Sequence, residues 1–155
     1  MDIEIMKVQV GDPQYEQVIG GLRADADLLA YMWQAAESRL DEHPTKVWIV
    51  AVDPNGRALA WCAYQPVGDG VVTCVNSFER PEVWGRGLYA TVYAARHQLI
   101  RWFDAVTYVY DQPLPLHLAD GWVPFEEGWS SEPDAPSHHW TGLRRPADPH
   151  DPERY

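Results

Sequence analysis

Apolar and polar positions change their period several times along the chain, and each change marks an element. Ile3 to Val10 alternates, as a half-exposed strand does, until Gly11-Asp12-Pro13 stops it. Gln14 to Leu22 predicts a helix whose end is loosened by Gly20-Gly21. From Asp25 to Leu40, Leu28, Leu29, Met32, Trp33, Ala36 and Leu40 recur at helical spacing, with Asp25 and Asp27 at the end where the helix dipole favours acids. Lys46 to Val52 is a strongly apolar strand, Asp53-Pro54-Asn55-Gly56 a hairpin turn, and Arg57 to Gln65 the returning strand. A further hairpin, centred on Gly68, leads into the strand Val71 to Phe78 and sets Cys62 opposite Cys74.

After a break at Pro81 and the turn Trp84-Gly85-Arg86-Gly87, helical spacing returns at Leu88, Val92, Ala95, Leu99 and Trp102. Ala105 to Tyr110 is β-branched and aromatic, so a strand, helix, strand crossover makes it parallel to the strand at Val71 to Phe78. Pro113 and Pro115 allow only a short helix, capped by Asp111 and ended by Gly121. Val123 to Gly128 and His138 to Leu143 predict two last strands that pair back, joined by a polar, proline-rich loop over Trp129 to Pro136. The charged, proline-rich segment Arg144 to Tyr155 reads as a tail that is mobile or lies on a neighbour. Antiparallel strands followed by a glycine turn and a helix describe an α+β fold in one domain, residues 1–143.

The glycine turn is where chemistry enters. A helix's first turn leaves N–H groups without partners and carries the positive end of the dipole, a setting that suits phosphate oxygens. Gly85 and Gly87 let the backbone approach an anion closely, and Arg80 and Arg86 add positive charge beside them. Glycines between strand and helix are more often simple turn formers, so two glycines alone decide little.

The longer run Phe78-Glu79-Arg80-Pro81-Glu82-Val83-Trp84-Gly85-Arg86-Gly87-Leu88-Tyr89 resembles the acetyl-CoA signature of the GNAT superfamily of N-acetyltransferases, matching at Pro81, Glu82, Gly85 and Gly87. Trp84 stands where that pattern has Arg or Gln, and Tyr89 where it has Gly or Ala. Leu118-Ala119-Asp120-Gly121-Trp122 resembles a second signature, with His117 at its tyrosine position. The resemblance implies a GNAT-like α/β sandwich: a mixed, mostly antiparallel sheet of about seven strands flanked by about four helices. It implies acetyl-CoA as co-substrate, held by Ser77, Phe78, Glu79, Arg80, Trp84, Gly85, Arg86, Gly87, Leu88 and Tyr89. The acetyl group would pass to a primary amine of a small molecule or peptide, bound at the same time. An N–H near Ser77 to Glu79 would stabilise the oxyanion and His117 would protonate the leaving thiol. Glu79 leads Glu126, Glu127 and Asp111 as the base, each of which also reads as a solvated carboxylate. Met32 and Trp33 read as core, with acceptor contacts left open by the family's use of that region. The alternative is a non-catalytic module that binds acyl-CoA or serves interactions.

Composition narrows the partners. A net charge of −11 opposes nucleic acid and anionic lipid. The start, MDIEIMKVQV, has neither a basic leader nor an apolar block, so a cytoplasmic protein is expected, as monomer or homodimer. Two cysteines are too few to staple a secreted domain and read as buried thiols. No metal is expected, because His138 and His139 point to opposite faces of a strand.

Overall fold

Strand β2 (Val47–Val52) is buried at all six positions, which happens only where a strand is covered on both faces. The computed structural model, which describes residues 2–36, 38–130 and 137–149, shows what covers it. One face of β2 places Trp48, Val50 and Val52 against Val18, Ile19 and Leu22 of helix α1 (Tyr15–Arg23) and Leu28 and Met32 of helix α2 (Ala26–Ala36). The other face places Val47, Ile49 and Ala51 against Val92 of helix α3 (Leu88–Ile100).

Around β2 runs one seven-stranded sheet with β1 (Glu4–Val8), β3 (Ala58–Gly68), β4 (Val71–Glu79), β5 (Asp104–Tyr110), β6 (Val123–Trp129) and β7 (His139–Arg145), in the order β1-β2-β3-β4-β5-β7-β6. Its pairs are antiparallel except β4 with β5, as the crossover through α3 requires. Helix α4 (Leu114–Ala119) follows β5. This is the α+β architecture that the sequence predicts, seven strands and four α-helices among the described residues.

Four local readings change. The second helix starts after Asp25, whose Oδ1 accepts the Leu28 N–H at 3.2 Å, and ends at Ala36, so Leu40 lies beyond it. Helix α4 has Pro113 at its N-cap and no side-chain cap bond; the Asp111 carboxylate bonds His139 instead. The β3–β4 hairpin turns on Asp69-Gly70, both at positive φ (56° and 74°), which pairs Cys74 with Tyr64 and leaves Cys62 a diagonal neighbour. Both thiols are buried and free. The tail is tied down at its start: the Ala147 N–H donates to Asp104 Oδ1 at 2.9 Å, and Asp148 lies 3.3 Å from Arg101. The expected loop at 131–136 and the tail beyond Pro149 lie outside the described residues.

Candidate active site

Strands β4 and β5 pair from Val71 and Asp104 only as far as Cys74 and Thr107. Beyond that, β5 follows β7 to the Tyr110–Trp140 pair while β4 stays with β3, so a fork opens between two parallel neighbours. A bulge in β4 accompanies the parting. Ala63 faces Val75, and the next pair is Trp61 with Phe78, so three steps of β4 match two of β3. Asn76 takes the left-handed conformation (φ 55°), which its short polar side chain tolerates. That side chain is fastened to the segment after α2: Oδ1 accepts from Lys46 Nζ at 2.6 Å, and Nδ2 donates to Arg39 O at 2.9 Å and Asp41 Oδ1 at 2.6 Å. Burial pushes the Asp41 carboxyl up, but the bonds from Asn76 and Lys46 outweigh it and hold the group below the usual carboxylate range.

Beyond the bulge, Phe78 faces α2, with its ring 6.0 Å from Tyr31 and 5.9 Å from Trp61. Ser77 and Glu79 take the opposite face, over α3. The Arg80 N–H bonds Leu59 O on β3 at 2.9 Å, so alternation turns the Glu79 N–H toward the fork.

At the fork's end lies the glycine turn. Gly85 and Gly87 have φ of 82° and 75°, and Gly87 is the N-cap of α3, without a side-chain cap bond. A Cβ at either glycine would meet nothing within 4 Å, so the glycines serve the backbone conformation and the turn faces open space. Arg86 is exposed beside them. Trp84 is 51% exposed and its Nε1 donates to Glu79 O at 3.3 Å, which folds the indole back on the end of β4. Half-buried Tyr89 turns its phenol inward to the Ser77 hydroxyl and Arg96. The Glu79 carboxylate does reach the turn, where it accepts the Tyr89 N–H in the first turn of α3. Partial burial raises its pKa, and the Tyr89 bond draws it partly back.

Two expected site residues stand elsewhere. Arg80 is buried, with Nε on Ala58 O at 2.6 Å and Nη1 on Asp25 Oδ2 at 2.9 Å, so it joins β3, β4 and the start of α2 and is not free for an anion in the turn. His117 on α4 is buried between the rings of Tyr93 and Trp122, 5.1 and 5.5 Å away. Its Nδ1 lies 2.9 Å from Pro113 O, which can only accept, so Nδ1 carries the proton and Nε2 presents a lone pair with no partner. Burial depresses its pKa, so the ring is held neutral and Nε2 has no proton to give. The acid role expected of His117 does not fit this setting. Asp111 and Glu127 meet at half-buried His139, at 2.7 and 3.1 Å, and raise its pKa.

Sequence reading passed over Arg96. It sits one turn from Val92 and one from Ile100 on the buried stripe of α3, and a cation in an apolar stripe was the available signal. Nη1 donates to Ala63 O at 3.2 Å and to Ser77 Oγ at 3.3 Å.

No family model and no curated protein matches the sequence. Solved structures do match the fold. An acyl-CoA N-acyltransferase from Pseudomonas aeruginosa is similar over 93% of this chain and 99% of its own, at 15% identity and a TM-score of 0.67. ElaA from Escherichia coli is similar over the same shares at 12% identity and a TM-score of 0.67. A GNAT family acetyltransferase from Elizabethkingia anophelis, with acetyl-CoA bound, is similar over 92% of this chain and 96% of its own at 12% identity and a TM-score of 0.55.

This is a GNAT fold. Within it, the end of β4 and the turn at 84–89 that leads into α3 carry the sequence signature. On the α2 side a hollow of about 340 Å³ is lined by Leu29, Trp33, Arg39 and Leu40, the last two on the segment that Asn76 anchors. Trp33 therefore faces a cavity, whereas Met32 is core. No helix among the described residues of this GNAT fold is long and apolar enough to cross a membrane.

Proposed function

We infer that this chain is an acyl-CoA-dependent N-acyltransferase, moving an acetyl group from acetyl-CoA to a primary amine of a small molecule or peptide. The observation that carries the reading is the conjunction of an open, left-handed glycine turn at the start of α3 with a fork between β4 and β5 that leads away from it. The diphosphate of the thioester fits the turn, where main-chain N–H groups, the dipole of α3 and Arg86 favour negative charge. The pantetheine arm fits the exposed edge of β4 beyond the bulge. Arg80 has no part in that binding, and the Glu79 carboxylate must leave the Tyr89 N–H when the diphosphate arrives.

With both substrates in the fork, catalysis is mainly positioning. The amine nitrogen attacks the thioester carbonyl, and the Glu79 N–H faces the side where the oxyanion forms. Released from the turn and carrying a raised pKa, the Glu79 carboxylate is the candidate base, directly or through a water. Neutral His117 packs between Tyr93 and Trp122 and leaves the acid role unfilled.

The competing reading is a non-catalytic module with the same fold. It draws on the Glu79 carboxylate at the turn, which opposes a phosphate, and on the unprotonated His117 Nε2. The test has two arms. Acetyl-CoA, but not NAD or ATP, should raise the melting temperature, because a selective ligand stabilises by mass action. Free thiol should then be released from acetyl-CoA with some member of a panel of primary amines. Stabilisation without thiol release across the panel would favour a module that binds acyl-CoA, and no stabilisation would end the acyltransferase reading and leave an interaction module that binds none.

A further inference from the structure

Arg96 is the one buried cation near the fork that has been given no task. It is 2% exposed, and the ionisable groups that face it are Cys62, Cys74, Tyr89, Tyr93 and His117. All five are neutral at pH 7, since burial raises both thiols and both phenols, Cys62 to about 11, and depresses His117. Among the described residues no carboxylate lies within salt-bridge distance of it, in contrast to Arg80, which has Asp25 at 2.9 Å. A guanidinium stays charged at any pH the protein meets. Buried charge without a counter-ion is unfavourable, which makes Arg96 a candidate for a functional role.

Its position says which. Nη1 reaches Ser77, the first residue past the bulge whose side chain faces α3, and Ala63 O across on β3. The Tyr93 ring links it to α4, 5.6 Å from the Arg96 Cζ and 5.1 Å from the His117 ring. The guanidinium therefore lies buried against β4 just past the point where that strand parts from β5, on the side toward α4. The only negative charge that acyl transfer creates there and keeps is the thiolate of the leaving coenzyme.

We propose that Arg96 is a catalytic residue that stabilises this leaving thiolate as an ion pair, in place of an acid that would protonate it. The proposal rests on the acyltransferase reading above. In the step, the amine lone pair forms the C–N bond and the tetrahedral adduct collapses with breaking of the C–S bond. The bonding pair leaves on sulfur, which Arg96 holds as thiolate. The proton shed by the adduct's nitrogen, cationic once the C–N bond has formed, passes to Glu79 or to water, and the thiolate takes a proton from solvent after release. No proton donor is needed at His117, which matches the lone pair on its Nε2.

The experiment titrates the thiol of coenzyme A bound to the full-length protein, followed by thiolate absorbance in the ultraviolet. Wild type, Arg96→Met and Arg96→Lys are compared. Free coenzyme A gives the reference midpoint, and coenzyme-free protein, whose two thiols are both raised by burial, gives the blank, so the remaining absorbance belongs to the bound coenzyme. The expected result is a bound thiol that ionises at least about one unit below the free value in wild type. The shift should vanish in Arg96→Met and persist in part in Arg96→Lys. Turnover of Arg96→Met should fall at least about tenfold with acetyl-CoA affinity within threefold of wild type. A bound thiol that ionises at its free value in wild type overturns the proposal without any variant, even if Arg96→Met fails to fold. An equal shift in wild type and Arg96→Met overturns it too, leaving the acyltransferase reading in place. Coenzyme A that does not bind wild type at all removes that reading and this proposal together.

Discussion

Arg80 and Arg96 are both buried guanidiniums, and their surroundings separate them. Arg80 spans Ala58 O and the Asp25 carboxylate, so its charge is matched inside the fold. Breaking such a pair leaves its partner uncompensated, and because Asp25 is one-third exposed the lower end of the usual range applies. Arg80→Ala should lose about 3 kcal/mol of stability in urea denaturation while acetyl-CoA affinity is unchanged. A loss of affinity without a loss of stability would return Arg80 to the anion site. The sequence offered a correct clue that adjacency obscured: Glu79 ends β4 and Arg80 continues it in extended conformation, so their side chains leave on opposite faces, and only one can attend the turn. His117 was found by motif, but its protonation was not, because the Pro113 carbonyl that fixes its tautomer and the rings that bury it are set by packing.

At the scale of the element, β4, the glycine turn and α3 act as one piece. The Glu79 carboxylate seated on the Tyr89 N–H places a negative charge where a diphosphate would need to sit. Glu79→Gln keeps the shape and removes the charge, so acetyl-CoA should bind about tenfold more tightly by calorimetry while turnover falls through loss of the base. Weaker binding would mean that the carboxylate supports the cofactor in place of competing with it. Most elements were legible, because period and turn chemistry declare them. What stayed hidden were single residues that leave no period mark. Asn76 bulges β4 with one positive φ, Asp69-Gly70 moves the hairpin centre past Gly68, and Asp111 is drawn off its cap by His139.

Across the whole molecule, the crossover from β4 through α3 to β5 was readable as topology, and it brings the turn and the fork together. The chemistry around them was less readable, since it depends on which side chains converge from β3, α3 and α4. Charge acts at this scale as well. The chain carries −11, while many of its ion pairs, such as Arg57–Glu82 and Arg23–Glu16, are exposed and contribute little. Screening should therefore relieve self-repulsion more than it weakens attraction, and the melting temperature should rise between about 0.02 M and 0.3 M sodium chloride. A fall would show that the ion pairs outweigh the net charge.

The parting of β4 from β5 past Cys74 and Thr107 also bears on how a guest comes and goes. A linear molecule can zip onto the bare edge of β4 without any rung of the sheet first being undone. Admission then waits on side chains at the doorway, Glu79 and Trp84 among them, which swing in picoseconds to nanoseconds where they are exposed. The sheet itself imposes no toll on traffic through the slot.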